Sequence, residues 1–306
     1  MMAATKADRI HVIDAIRGFA IFGILLANIQ SWSGYKYLPF DRLAALPWAN
    51  LDSLMYGLHI ALVDGKFYAI FSMLFGVGFG LQWARKQQEA KSFLPAYRRR
   101  QALLLMFGLL HALAWSGDIL TLYALLAFVM IALRNLDTRS HLLLGIALLA
   151  TFLLSQAAHM YLADSPVPVE KLARKTYPDM ASQTIIAAFG GTDWAEVFRV
   201  NLHNLYWRWV EFLPNGRVTR VLGFFMLGVY LARSGFFLDT AHKPRYMPAF
   251  LLPGLALTLL SMQLGINMSS WAGSWTEIAS KGLNVAGQAL MALGYMCFLS
   301  WLYSTV

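Results

Sequence analysis

The sequence predicts an all-α fold, a polytopic transmembrane helix bundle formed as a single domain over residues 1–306. Hydrophobic residues make up 58% of the chain and charged residues only 13%, which is about half the charged fraction of a soluble globular domain. Aromatic residues, which membrane proteins concentrate at the water interfaces, contribute another 14%. The apolar residues also gather into runs about as long as a membrane-spanning helix.

These apolar runs, separated by polar or charged segments, predict about eight spans. Backbone polar groups must be paired inside lipid, and the alternating pattern of a transmembrane barrel is absent from the sequence, so we expect every span to be a helix. The predicted spans cover residues 12–32, 54–84, 100–115, 119–133, 142–162, 218–233, 247–266 and 283–303.

The distribution of lysine and arginine predicts that both termini are cytoplasmic. With the N-terminus inside, the cytoplasmic segments hold most of the cations, including Arg17 and residues 98–100. The short outer loops hold Lys36, Arg42 and Lys281, which fits the excess of positive charge in cytoplasmic loops. We therefore attribute the net charge of +9 to topology and predict no nucleic-acid partner. The lipid bilayer is the predicted environment.

Residues 163–217 form the one long excursion, on the predicted outer face. Apolar and aromatic residues recur at helical spacing within 194–213 and predict a helix lying on the membrane surface. The alternative is that this helix spans the membrane. That arrangement would leave an odd number of spans and would place Arg233, Lys243 and Arg245 outside.

His111 and Asp118 flank a Ser-Gly turn between the third and fourth predicted spans. Ionisable groups inside a membrane are costly and tend to mark functional sites. A histidine can accept a proton while a carboxylate orients its ring. The alternative is structural: His111 would bond a neighbouring helix, and Asp118 would cap the helix that follows.

The predicted lengths of these two helices indicate a recessed pocket around His111 and Asp118. Each has about 15–16 residues and a length of about 23 Å, short of the roughly 30 Å hydrocarbon core. With residues 98–100 at the inner interface, the turn would stop below the outer surface, where irregular backbone needs protein or water around it.

Further polar residues have both a binding and a structural interpretation. Asp64 and Lys66 can ligate a charged substrate group, or Lys66 can extend to the interface as an anchor. Arg17 can form an ion pair with Asp14 at the inner end of the first helix. Asn28 can bind substrate or form an interhelical hydrogen bond.

The cluster of Arg98, Arg99 and Arg100 can bind a phosphate from the cytoplasm, or it can simply anchor the helix at the inner interface. His59, His159 and His203 have no ligand spacing, and Cys297 is the single cysteine. We therefore predict no metal site.

Five motifs occur in a fixed order along the chain, in residues 9–28, 65–76, 107–111, 117–123 and 222–236. Together they resemble the bacterial YeiB-like family, domain of unknown function 418. The resemblance covers most of the chain in the same order and implies a multi-pass protein of the bacterial inner membrane. Family members usually continue through further helices to a Gly-Pro-x-Glu-Trp-x-Trp-Arg tail, so we expect that C-terminal part to be absent here.

That family is distantly similar to membrane acyltransferases that act on heparan glucosamine and on bacterial cell-surface glycans. The similarity implies transfer of an acyl group from cytoplasmic acyl-CoA, as a co-substrate rather than a tightly bound cofactor, to a cell-envelope acceptor. His111 would be the general base oriented by Asp118. Asn28 or Lys66 would stabilise the oxyanion, and Arg17, Lys66 and residues 98–100 would face the donor.

Two other functions are compatible with the same residues. A proton-coupled transporter or exporter of a small polar solute would use His111, Asp118 and Asp64 as a proton relay. A non-catalytic membrane scaffold would need these polar residues only for stability.

Overall fold

In the computed structural model, the described residues are 8–86, 90–161, 175, 178, 180–212, 215–237, 244–266 and 275–305. Within these ranges the secondary structure is helical and no strand occurs, which confirms the predicted all-α class. A short 3-10 helix covers Tyr35–Tyr37. The α-helices are α1 (Asp8–Trp32), α2 (Phe40–Ala44), α3 (Ala49–Leu62), α4 (Lys66–Lys86), α5 (Ala90–Ala114), α6 (Leu120–Leu133), α7 (Thr138–Tyr161), α8 (Ser182–Gly190), α9 (Trp194–Phe212), α10 (Arg217–Arg233), α11 (Tyr246–Ile266) and α12 (Trp275–Thr305).

Five segments of the described chain are long and apolar enough to cross a membrane, and α6 is a shorter apolar helix. A helical membrane protein is therefore supported, while the count of eight spans and the cytoplasmic termini stay predictions. Helix α5 is long enough, but Arg98, Arg99 and Arg100 interrupt its apolar surface. The candidate spans are His11–Trp32, Ala49–Ala84, Thr138–Ala158, Tyr246–Gly265 and Trp275–Thr305.

The predicted single span 54–84 is wrong as one helix, because the chain turns between α3 and α4. Gly65 adopts a left-handed conformation with φ of 75°, which glycine reaches without steric cost. A Cβ atom at this position would also lie 2.2 Å from the side chain of Gln288. Asp64, Gly65 and Lys66 interrupt the apolar run at this turn.

Helices α4 and α10 pack with their backbones in contact. A Cβ atom on Gly76 would lie 2.0 Å from the carbonyl oxygen of Phe225, and one on Gly228 would lie 2.0 Å from that of Met73. Small residues allow such close approach between membrane helices. Gly76 and Gly228 thus bring α4 and α10 together. Helices α1, α7 and α12 also contact this pair, and α5 and α6 form an adjacent hairpin.

The expected short first arm of the α5–α6 hairpin is also wrong. Helix α5 begins at Ala90 and has 25 residues, a length of about 37 Å. Residues 98–100 therefore lie about two turns inside the helix rather than at its base. Helix α6 has 14 residues and a length of about 21 Å, close to the predicted value.

Helix α9 forms where the aromatic spacing predicted a surface helix, and it is not among the candidate spans. Residues 164–168 of the long excursion lie outside the described residues.

Candidate functional site

His111 and Asp118 are in direct contact across the turn that joins α5 to α6. The Nδ1 atom of His111 lies 2.8 Å from Oδ1 of Asp118. The Asp118 side chain is only 2% exposed, whereas that of His111 is 44% exposed. Within the described residues the imidazole forms no other hydrogen bond. One ring nitrogen of His111 is thus held by a carboxylate, and Nε2 remains open to a substrate.

Asp118 also has the structural role proposed as the alternative. Its Oδ1 accepts a hydrogen bond from the Leu120 amide at 3.1 Å, and its Oδ2 accepts one from the Thr121 amide at 2.9 Å. These are among the amides that the start of a helix leaves without intrahelical partners. One carboxylate therefore caps α6 and orients His111 at the same time.

Close approach of α5 to α6 makes the contact possible. A Cβ atom on Gly108 would lie 2.6 Å from the Thr121 amide nitrogen, so glycine at 108 lets the two backbones meet. In the turn, a Cβ atom on Gly117 would overlap the ring of Trp115. That ring packs edge-on against His111, with centroids 5.6 Å apart.

Helix α9 holds the α5–α6 turn through two side chains that the sequence analysis did not select. The Asn201 amide group donates to the carbonyls of Ala112 and Leu113 at 3.0 and 2.7 Å, and its oxygen accepts from the Ser116 amide. Two turns further along α9, Arg208 donates to the carbonyl of Gly117 at 3.3 Å. The sequence feature that could have identified both residues is their separation by seven positions, which places them on one face of α9.

A cavity opens on the inner side of this turn, and we refer to it as the turn-end cavity. It has two parts, of about 480 and 440 Å³. Asn28 and Asp64 line the smaller part, which unites two of the predicted site residues. The residues that line both parts are Lys36, Tyr37, Ser116, Arg208 and Arg217.

His111 and Asp118 do not line either part of the turn-end cavity, and a pocket around these two residues stays a prediction. The turn contributes Trp115, Ser116, Gly117 and Ile119 to the cavity wall. His111 is not among the lining residues, because it projects from α5 toward the exposed surface of the bundle.

The turn-end cavity is strongly cationic. Five cationic side chains and two carboxylates, Glu211 and Asp64, line its walls. Burial, and then the neighbouring Arg217, lower the pKa of Arg208 to about 10, so its guanidinium is still charged at neutral pH. The sequence analysis missed the three arginines because they belong to the long excursion and the helix that follows. The cations are Lys36, Arg208, Arg217, Arg220 and Lys281.

Lys66 does not extend to an interface as the anchor interpretation predicted. Its side chain is 0% exposed, and its Nζ donates to the Ile60 carbonyl at 2.6 Å. That carbonyl belongs to the last turn of α3, where carbonyls lack intrahelical partners and a cation is favoured by the helix dipole. Lys66 thus stabilises the end of α3 and does not line the cavity.

A second, smaller pocket of about 190 Å³ lies along α4, between Phe71 and Gln82. Arg17 and Arg100 both line it, and Arg100 donates to Gln82 at 2.9 Å. Arg17 also forms the predicted ion pair with Asp14 at 2.8 Å. Arg98 and Arg99 are exposed and do not line this pocket. Lys66 does not line this pocket.

Among the residues that the structure describes, no group of three or more histidine, cysteine or carboxylate side chains is placed to hold a metal ion. No family model matches the chain, and no solved structure matches it.

Three curated bacterial proteins are similar to part of the chain. The uncharacterized protein YxaH of Bacillus subtilis (strain 168) is 36% identical over 155 residues, which are 47% of this chain and 37% of that protein. An uncharacterized 39.9 kDa protein in the amylase 3′ region of Bacillus acidopullulyticus is 33% identical, over 46% of this chain and 39% of its own length. The uncharacterized protein YeiB of Escherichia coli (strain K12) is 31% identical, over 40% and 30%.

The matched part of the chain spans about a third of the length of each of these relatives. Identities of 31–36% over such segments indicate distant homology. The chain is therefore a distant homologue of uncharacterized YeiB-like proteins.

Proposed function

We propose that the protein is a membrane-bound acyltransferase of the bacterial inner membrane that moves an acyl group from cytoplasmic acyl-CoA to a cell-envelope acceptor. The observation that carries the proposal is the contact between His111 and Asp118. It orients the imidazole through Nδ1 and leaves Nε2 as a base. A base held by a third group is the arrangement that activates a nucleophile in acyl transfer.

In the proposed reaction, Nε2 of His111 removes the proton from an acceptor hydroxyl or amine. The acceptor atom attacks the thioester carbonyl, the C–S bond breaks, and the proton passes from the imidazolium to the departing thiolate of CoA. Asp118 stabilises the imidazolium without itself becoming protonated. Because His111 faces the exposed surface of the bundle, the acceptor approaches beside Trp115 and Trp32, whose rings are 5.3 Å apart.

The pocket at Arg17 and Arg100 supports a donor site. Its volume of about 190 Å³ suits a phosphate group of CoA rather than the whole nucleotide. Two guanidinium groups are well matched to phosphate oxygens. Arg100 and His111 are on the same helix and are about 16 Å apart along its axis, so an extended donor would connect the pocket with the base.

Thermal unfolding of the detergent-purified protein with acetyl-CoA tests the donor site. At a ligand concentration of 100 times Kd, we expect a stabilisation of about 2.7 kcal/mol. Arg100→Gln should abolish it, whereas the matched control Arg99→Gln, on an exposed neighbour, should retain it. Absence of stabilisation in the unmodified chain and in a full-length relative would contradict the donor site.

A transfer assay tests the base. Radiolabelled acetyl-CoA is incubated with the protein in envelope membranes, and label in the acceptor fraction is counted. His111→Gln should lower the rate by about 10²–10⁴-fold while the variant still folds. Undiminished transfer would rule out His111 as the base. Loss of stability alone, with no transfer in any variant, would support the scaffold alternative.

Proton-coupled transport of a small polar solute is the second candidate, and the position of Asp64 favours it. This carboxylate lines the cationic turn-end cavity beside Asn28, where a proton relay could couple to solute binding. Transport predicts solute uptake into proteoliposomes that depends on a pH gradient and is lost in Asp64→Asn. It predicts no stabilisation by acetyl-CoA.

A further inference from the structure

Several buried polar atoms around the turn-end cavity lack a partner in the protein. Within the described residues, no hydrogen bond is formed by Nε of Arg208, Nε of Arg220 or Nδ2 of Asn204 in the larger part. The same holds for Nε2 of His59 and the hydroxyl of Tyr68 in the smaller part. Buried polar groups are nearly always hydrogen-bonded. Most of these atoms are donors, so the cavity is suited to an acceptor-rich ligand.

The arginines of the cavity also lack anionic partners. Among the described residues, none of Arg208, Arg217 and Arg220 forms an ion pair with a carboxylate. Arg217 instead lies 4.0 Å from the ring centre of Tyr68, and Arg220 lies 4.8 Å from that of Phe152. A guanidinium held against an aromatic face keeps its edge donors for another molecule.

We propose that the turn-end cavity is a binding site for the phosphate group of an organic phosphate. The planar donors of three arginines match phosphate oxygens, and Lys36 adds charge at the same wall. Lys281 also lines the cavity, but it is paired with Glu277 at 2.7 Å. The excess of cations over Glu211 and Asp64 favours a dianionic phosphate monoester over a single carboxylate. The phosphate site does not depend on His111 acting as a base. A test that contradicts acyl transfer therefore leaves this proposal unaffected.

The cavity volume leaves two sources for the phosphate group. The two parts, of about 480 and 440 Å³, are in the size range of small-molecule sites, and either would hold a phosphorylated headgroup. The group can therefore come from a membrane lipid or from a soluble metabolite, and the chemistry at the arginines is the same in both.

Binding measurements with matched probes test the proposal. The soluble probe is sn-glycerol 3-phosphate, titrated calorimetrically against the full chain in nanodiscs of phosphatidylcholine. The lipid probe is phosphatidic acid, which carries the same headgroup, incorporated in the nanodiscs and scored by native mass spectrometry. Succinate is the dicarboxylate comparison. Binding of the soluble probe or of the lipid identifies the source.

Two variants and one control assign the binding to the cavity. Arg220→Gln removes a lining guanidinium, and Lys36→Gln removes an exposed lining charge that the fold does not need. Each should weaken phosphate binding by about tenfold or more, because hydrogen bonds to charged groups contribute strongly. Arg199→Gln is the control, since Arg199 is on α9 but pairs with Glu196 at 2.7 Å.

If Arg220→Gln fails to fold, Lys36→Gln decides the result. Binding of either phosphate probe that is weakened by the lining variants and retained by Arg199→Gln supports the site. Absence of binding of both probes, equal binding in all variants, or succinate binding as tight as glycerol 3-phosphate would overturn the proposal.

Discussion

The imidazole of His111 and the carboxylate of Asp118 meet at 2.8 Å, and the same carboxylate accepts two amide hydrogen bonds at the start of α6. One side chain therefore makes both the contact with His111 that the proposed catalytic role requires and the amide contacts of a helix cap. A substitution that only removes the side chain cannot separate them, and a pair of variants is needed.

Asp118→Ala should destabilise the protein by about 0.5–2 kcal/mol, the usual effect of removing a helix cap. Asp118→Asn should be destabilised less, because asparagine is also a favourable capping residue, yet it should lose acyl transfer because His111 loses its anionic partner. Thermal unfolding in detergent and the transfer assay measure the two effects. Equal transfer by Asp118→Asn and the unmodified protein would contradict the proposed role of the carboxylate.

Gly108→Ala should force α5 away from α6. The added Cβ atom would meet the Thr121 amide nitrogen at 2.6 Å, and backbone cannot move aside as a side chain can. We expect a loss of about 1–3 kcal/mol, as for overpacked cores, together with weaker contact between His111 and Asp118.

Gly18→Ala is the matched control for Gly108→Ala. It is also in a helix, and no atom would lie within 4 Å of an added Cβ atom. Alanine is favoured over glycine inside a helix by up to about 1 kcal/mol, so this variant should be neutral or stabilised. Similar unfolding temperatures for the two variants would show that the close approach of α5 to α6 at Gly108 does not limit stability.

The sequence predicts those features of this protein that depend on local composition. Apolar runs and low charge indicate the helical membrane class, and glycine spacing in α4 indicates close packing. The turn at Gly65 escapes the span prediction because the apolar residues on both sides of Asp64, Gly65 and Lys66 outweigh these three in hydropathy. Burial of Lys66 also escapes, since only the fold shows that the Ile60 carbonyl needs a donor.

The cationic cavity depends on distances that the sequence does not contain. Arg208 belongs to α9, whereas Arg217 and Arg220 belong to α10, and a turn at Gly216 brings the two helices to one wall. From the sequence alone, these arginines are simply cations of the long outer segment and of the first turn of the span that follows it. The contact of α9 with the α5–α6 turn through Asn201 is equally long-range, with 85 residues between Asn201 and Ser116.

Asn201→Ala should loosen the turn that carries Asp118. Asn201 is 1% exposed, and its removal leaves the Ser116 amide and two carbonyls without this partner. Each buried group left unsatisfied costs about 1–3 kcal/mol. We expect lower thermal stability and faster hydrogen exchange at the Ser116 amide. Asn135→Ala, at an exposed position, is the control. Equal hydrogen exchange at the Ser116 amide in both variants would show that Asn201 does not hold the turn.

Lys66→Met should destabilise the junction between α3 and α4 without creating a cavity. Methionine fills nearly the same buried space as the lysine stem, but it cannot donate to the Ile60 carbonyl, which Lys66 Nζ reaches at 2.6 Å. The Asp64 amide donates to the His59 carbonyl, so it does not replace Lys66 as a donor to the Ile60 carbonyl. We expect a loss of about 1–3 kcal/mol, measured by thermal unfolding in detergent.

Lys36→Met is the comparison for Lys66→Met, because Lys36 is exposed and its loss should leave stability nearly unchanged. The pair also separates structure from function at Lys66. If Lys66→Met folds with reduced stability and retains acyl transfer, the ammonium acts only at the end of α3. Full stability of Lys66→Met would contradict that role. In that case, the energetic cost of keeping a charged group 0% exposed would point back to a functional reason for the lysine.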